Sequence, residues 1–254
     1  MSIRENSLAG WTREDSHQRA AETIVVVPVG ALEQHGPYLP LATDALLAEH
    51  IAYAATAELP GFVVAPTVSY GCSHHHLPYG ATASLRTSSL LAALGDLTET
   101  LLASGFAGVF ILNGHGGNAE VVQLTARDVS LAKQAFVAGG SYFQIAAKGL
   151  REVGAFDLGE MPGHAGAFET SLLLAAHPEL VRPLSGEPVP PPPGGWPTGR
   201  SYRLGSPGPF RSPQGYSDSP QAASAAAGQA FLDVCVRAVR DALLDFGTVS
   251  RARD

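Results

Sequence analysis

The sequence predicts an α/β fold: one domain over residues 1–254, with a mostly parallel sheet covered by helices on both faces. Three observations carry that prediction. Short β-branched runs alternate with longer Ala/Leu-rich stretches of helical spacing, as in successive βαβ units. The strand candidates are apolar throughout, as expected where both faces of a strand are covered. The 254 residues are 45 % hydrophobic and 15 % charged, which supports a single large core and not a disordered chain.

The elements follow in order. Residues 24–29 (IVVVPV) form a β-branched run and read as a buried strand. Residues 43–59 read as a helix, with Asp44 in its first turn. Residues 62–66 are a second strand, 88–104 a helix, and 108–112 (GVFIL) a third strand. Residues 118–133 are helical again, followed by a strand near 135–139. A short helix over 168–176 and a long Ala-rich helix over 221–246 complete the set. Two stretches interrupt the alternation. Residues 71–85 (GCSHHHLPYGATASL) form a polar loop rich in Gly and His. Residues 188–215 are rich in Pro and Gly and contain Trp196, Tyr202 and Phe210. This second stretch reads as an extended segment able to drape over a neighbouring subunit or a substrate cleft. Its PPPP run reads as a stiff loop in preference to a partner ligand.

Composition narrows the function classes. A net charge of −7 argues against a nucleic-acid partner, which would need a basic surface. Cys72 and Cys235 are far apart and match no metal or redox spacing, so a reducing compartment is expected. No apolar run approaches the roughly 20 residues of a membrane helix. The polar start, MSIRENSLAGWTREDSHQR, has no apolar core of a signal peptide. A cytoplasmic protein with no membrane partner is therefore expected.

Four clusters carry chemistry. In GALEQHGPYLPLATD, Glu33 and His35 follow the first strand two residues apart, so an extended chain turns both to one side. Asp44 returns at the next helix. Ligands bind at the carboxyl ends of parallel strands, and this donor set suits Zn, Mn or Fe. In FILNGHGGN, His115 emerges at the same edge after the third strand, among glycines that permit close backbone approach. In GHAGAFETS, Glu169 opens a helix and could bind metal, while His164 could move protons. The run Ser73-His74-His75-His76 places one or two histidines at a substrate pocket. Plainer readings stand beside these: Asp44 and Glu169 as carboxylates favoured at helix N-termini, and the histidines as loop hydrogen-bonders.

Taken together, VGALEQHGPYLPLATD, NGHGGN and GHAGAFETS, in that order, resemble the creatininase (creatinine amidohydrolase) family, and HLPYGATASL is similar to its substrate loop. The resemblance covers residues 24 to about 182. It implies a three-layer α/β/α sandwich, a homohexamer and two divalent metal ions per subunit. By position, Glu33, Asp44 and His115 would hold one metal, and His35 with the bridging Asp44 the second. Creatininase itself has a further ligand, a Glu, where this chain has Gly117, so Glu169 is assigned the missing carboxylate. His164 matches the family's proton-transfer histidine, with Glu169 beside it in the catalytic set. The substrate side is expected to include His75, His76, Ser84, Gly116, Gly117 and Asn118, the glycine N–H groups facing an oxyanion.

The activity so implied is a hydrolase acting on carbon–nitrogen bonds other than peptide bonds. It would cleave a small amide, cyclic amide or formamide with a hydroxide bridging the metals. Creatininase covers its substrate with tryptophans, one shortly before the counterpart of His164. Glu160 and non-aromatic neighbours stand there in this chain, which speaks against creatinine itself. The alternatives are a peptidase trimming a short peptide, as in mycofactocin maturation, and a metabolite-binding domain without catalysis.

Overall fold

The computed structural model describes residues 6–189 and 214–251. Four parallel strands, β1 (Ile24–Val29), β2 (Phe62–Val64), β3 (Gly108–Asn113) and β4 (Val137–Ser141), form a sheet in the order β2-β1-β3-β4. Ile24 pairs with Phe62 on one side and Gly108 on the other, and Val109 pairs with Val137. The helices in chain order are α1 (Arg13–Arg19), α2 (Thr43–Thr56), α3 (Thr87–Ala103), α4 (Ala119–Lys133), α5 (Tyr142–Ile145), α6 (Ala147–Glu152), α7 (Ala155–Leu158), α8 (Ala167–Ala176) and α9 (Ala225–Arg251).

The layering follows from strand alternation. Ile24 and Val26 point to one face, where Leu47 and Ile51 of α2, Leu172 and Leu173 of α8, and Phe231 and Leu243 of α9 pack on them. Val25, Val27 and Val29 point to the other face, against Leu90 and Leu94 of α3 and Val121 and Val122 of α4. Every residue of β1 is buried, hence its unbroken apolar run. The result is the expected three-layer α/β/α sandwich. Pro28 fits a central strand because its carbonyl accepts from Val68 on the β2 side, where β2 has already ended.

Several boundaries differ from the sequence expectation. The second helix stops at Thr56, since Ala57 is extended and Glu58 takes a positive φ. β2 ends at Val64, two residues short, with Pro66 following. β4 runs two residues later than expected. The histidine loop folds into a 3-10 turn over His74–Tyr79. Helix α1 rests on a capping box, in which Thr12 Oγ1 accepts from Asp15 N and Asp15 Oδ2 accepts from Thr12 N. The expected drape of segment 188–215 lies, for residues 190–213, outside the described residues. Among the described residues no helix is long and apolar enough to cross a membrane.

Candidate metal centre

The four described strands being parallel, their carboxyl ends share one edge, and the chemistry-bearing residues leave from it. Glu33 and His35 follow β1, and His115 follows β3. Asp44 arrives in the first turn of α2, and two glycines let that turn sit against the strand ends. A Cβ at Gly30 would lie 2.4 Å from the Ala45 Cα, and one at Gly114 2.6 Å from the Asp44 carbonyl oxygen. Glu169 enters from the first turn of α8, His164 from the loop before it, and His76 from the 3-10 turn.

Seven side chains predicted for the site thus converge, and each is at most 5 % exposed. Asp44 stands between two imidazoles, with Oδ1 3.4 Å from His35 Nε2 and Oδ2 3.1 Å from His115 Nδ1. Glu33 faces three: Oε1 lies 3.1 Å from His76 Nε2 and 3.5 Å from His164 Nδ1, and Oε2 lies 3.3 Å from His115 Nε2. Glu169 Oε2 is 3.8 Å from His35 Nε2 and accepts a hydrogen bond from Ala165 N. Three groups have donor atoms all within 4.8 Å of one another: Glu33/His35/Asp44, His35/His164/Glu169 and Glu33/His76/His164.

The imidazole–carboxylate contacts bring these atoms within 3.1–3.8 Å of one another, yet several of them make no hydrogen bond. Among the described residues, the buried side-chain N and O atoms without a hydrogen-bond partner are both Glu33 carboxylate oxygens, His35 Nε2, Asp44 Oδ2 and Thr170 Oγ1. Four of those five atoms face this cluster. Buried polar atoms in native proteins are normally paired, and a buried carboxylate is costly unless a cation or donors meet it. The residues present therefore fit divalent cations, whose borderline and hard character matches imidazole and carboxylate donors.

Charge coupling inside the cluster is strong. Burial opposes charge on His35, but Asp44, Glu169 and Glu33 outweigh it and raise its pKa to about 10. Burial likewise opposes charge on His115, and Glu33 and Asp44 raise it to about 9. Burial pushes Glu169 up to about 8, helped by Asp44 and Glu33 and opposed by His35 and the Ala165 N–H. Asp44 is held below the usual carboxylate range because His35 and His115 outweigh its burial. His164 is pushed well below 6.5 by burial and by the His35 and His76 rings.

The expected substrate residues divide. His75 is exposed, its ring stacked on His115 at 5.7 Å between centroids. His76 lies against Glu33, deeper than expected. Gly117 admits no side chain: a Cβ there would lie 2.3 Å from the Cys72 carbonyl oxygen and 2.5 Å from His115 Nε2, whereas nothing crowds Gly116. Asn118 and Ser84 also hold loops in place. Asn118 Oδ1 accepts from Cys72 N while its Nδ2 donates to the Gly30 carbonyl, clamping the His loop to the end of β1. Ser84 Oγ accepts from Ser73 N and pairs with His74 Nδ1, bracing the same loop.

Sequence reasoning missed Gln34 and Asp218. The Gln34 side-chain amide lies 3.0 Å from both His76 Nδ1 and His164 Nε2 and donates to the Gly215 carbonyl. Its place between Glu33 and His35 was the available signal. Asp218 has no local motif to mark it; only folding brings QGYSDSP beneath the His164–Glu169 loop.

With the geometry established, comparison with known proteins is direct. The family model for creatinine amidohydrolase (creatininase) matches residues 9–243. The chain is 30% identical to a creatinine amidohydrolase of Pseudomonas putida over 260 aligned positions, covering 92% of this chain and 93% of that protein. It is 32% identical to a mycofactocin precursor peptide peptidase of Mycobacterium ulcerans (strain Agy99) over 62% of this chain, and the match spans only 60% of that peptidase's length. A solved structure described as a creatininase with Mn superposes with a TM-score of 0.78 at 28% identity, covering 95% of this chain and 98% of the other.

Proposed function

The chain belongs to the creatininase family, and on that premise we propose that it is a metal-dependent hydrolase cleaving a carbon–nitrogen amide bond in a small substrate. Glu33, His35, Asp44, His115 and Glu169 would hold two divalent ions, Zn, Mn or Fe. The observation that carries the reading is the buried cluster of carboxylates and imidazoles with unsatisfied donor atoms at one sheet edge. The described solved relative is a manganese form, which supports a metal at this place.

Divalent cations bound there supply Lewis acidity toward a carbonyl and lower the pKa of water toward neutrality. The protein's own groups do the rest. Asp44 offers one oxygen to the His35 side and the other to the His115 side, so it links the two halves. His164 is neutral at working pH. When its Nε2–H donates to the Gln34 carbonyl at 2.8 Å, the Nδ1 lone pair turns toward Glu33 and can take a proton and return it to a leaving nitrogen. Backbone N–H groups at Gly116 and Gly117 stand beside His115, where a developing oxyanion could be met. The exposed His75 ring stacks over His115.

A peptide amide is the second substrate reading, supported by the identity to the mycofactocin peptidase. A homohexamer in the cytoplasm and a single creatininase-like domain complete the proposal, the first checked by light scattering. To test the activity, metal-loaded protein is offered creatinine, small formamides and short peptides, with product amine measured. Turnover of one class that a chelator abolishes is the expected result. Turnover of none, with metal bound, would favour the non-catalytic binding domain.

A further inference from the structure

Resting on the reading that the cluster holds metal, we propose that Asp218 is the positioning residue for the His164–Glu169 limb of the centre, acting through backbone and not as a ligand. Its carboxylate is 1 % exposed. Oδ1 accepts from Ala167 N at 2.7 Å, at the start of α8, and Oδ2 accepts from Ser217 Oγ at 2.9 Å. Ser217 in turn grips His164 twice: its Oγ accepts from His164 N and its N donates to the His164 carbonyl, both at 2.8 Å. The strand of contacts runs from Asp218 to both ends of the 164–167 loop.

That loop needs holding. Ala165 sits at φ 50°, the left-handed region that a residue with a Cβ adopts at a cost. Ala165 N is also the donor to Glu169 Oε2, so the strained residue orients the carboxylate. Such strain persists only where the surroundings over-determine it, and the bonds from Ser217 and Asp218 flank it on both sides. The N-cap position of α8 is Gly166, which has no side chain to cap the helix, so a carboxylate fifty-two residues along the chain stands in. Three glycines make room for it. A Cβ at Gly166 would lie 2.1 Å from Asp218 Oδ1, one at Gly163 2.8 Å from Oδ2, and one at Gly159 2.6 Å from Cγ. A cap serving only the helix would not require three glycines and a strained alanine on the side that carries His164 and Glu169.

The test measures metal affinity, by competition of Zn²⁺ with a chromophoric chelator, and the visible spectrum of the Co²⁺-loaded protein. Wild type is compared with Asp218→Asn, Asp218→Ala, Ser217→Ala and a buried control in α9, Leu232→Ala. The expected result is a roughly 10–100-fold loss of affinity in Asp218→Ala with altered cobalt bands, and partial rescue in Asp218→Asn, which keeps an acceptor for Ala167 N. Leu232→Ala should lower the melting temperature and leave both metal readouts unchanged. Wild-type affinity in Asp218→Ala, or an equal loss in Leu232→Ala, would overturn the proposal. Should Asp218→Ala not fold, Ser217→Ala carries the test, and an unchanged cobalt spectrum there overturns it. A wild type that takes up no metal sinks the metal reading itself, an outcome separable because it is measured first.

Discussion

Glu33 lies buried with neither carboxylate oxygen hydrogen-bonded, a cost that a cation removes. The neighbouring shifts make a linked prediction. His35 rises from 6.5 to about 10, His115 from 6.5 to about 9, and Glu169 from 4.5 to about 8. All three groups bind protons more tightly in the folded state, so their stabilisation is complete below the unfolded values and is lost as pH climbs through the folded ones. Asp44, shifted the other way, titrates only in acid. The metal-free protein should therefore lose melting temperature from about pH 4.5 to about pH 10, whereas the metal-loaded protein, its ligands already deprotonated, should not. Parallel pH profiles for the two forms in a thermal melt would refute the coupling. Most of these residues were legible in the sequence, because Glu33, His35, Asp44, His115, His164 and Glu169 sit in compact motifs next to strands or helix starts. The loop-clamping bonds of Asn118 and Ser84 were not, since they join partners 11 to 88 residues apart in sequence.

At the scale of elements, α8 and α9 pack at a crossing that only a glycine allows. A Cβ at Gly228 would lie 1.8 Å from the Ser171 carbonyl oxygen. Gly228→Val should cost about 1–3 kcal/mol or more, a fall of roughly 2–4 °C in melting temperature per kcal/mol for a chain of this size. Differential scanning calorimetry reads it directly, and an unchanged melting temperature would mean that the helices can part freely. β1, β3 and the long helices could be read because apolar runs and helical periodicity are strong over their length, whereas β4 carries Gly139, Gly140 and Ser141 and lies two residues beyond the expected run. Helix α1 could not: none of its residues is buried, and its only signal is the capping box at Thr12 and Asp15. The short helices α5 to α7 span four to six residues each, too few for a periodic stripe to show.

For the whole molecule, the site exists because a parallel sheet sends every strand out at one edge, and α2, α8 and the histidine turn all return to it. Six segments, around residues 33, 44, 76, 115, 164–169 and 218, meet there although the first and last lie 185 positions apart in a chain of 254. Strand ends in the sequence pattern put residues 33, 44 and 115 at a common edge, and motifs marked 76 and 164–169 as site residues; position 218, in the stretch after residues 190–213, had no such signal. In the proposed function this convergence holds two cations through the shared Asp44 carboxylate. The most direct measurement is elemental analysis of protein reloaded with Zn²⁺ or Mn²⁺ and then desalted, wild type beside Asp44→Ala. About two ions per chain are expected in wild type, with near-complete loss in the folded variant. Two ions retained by Asp44→Ala, or none taken up by wild type, would contradict it.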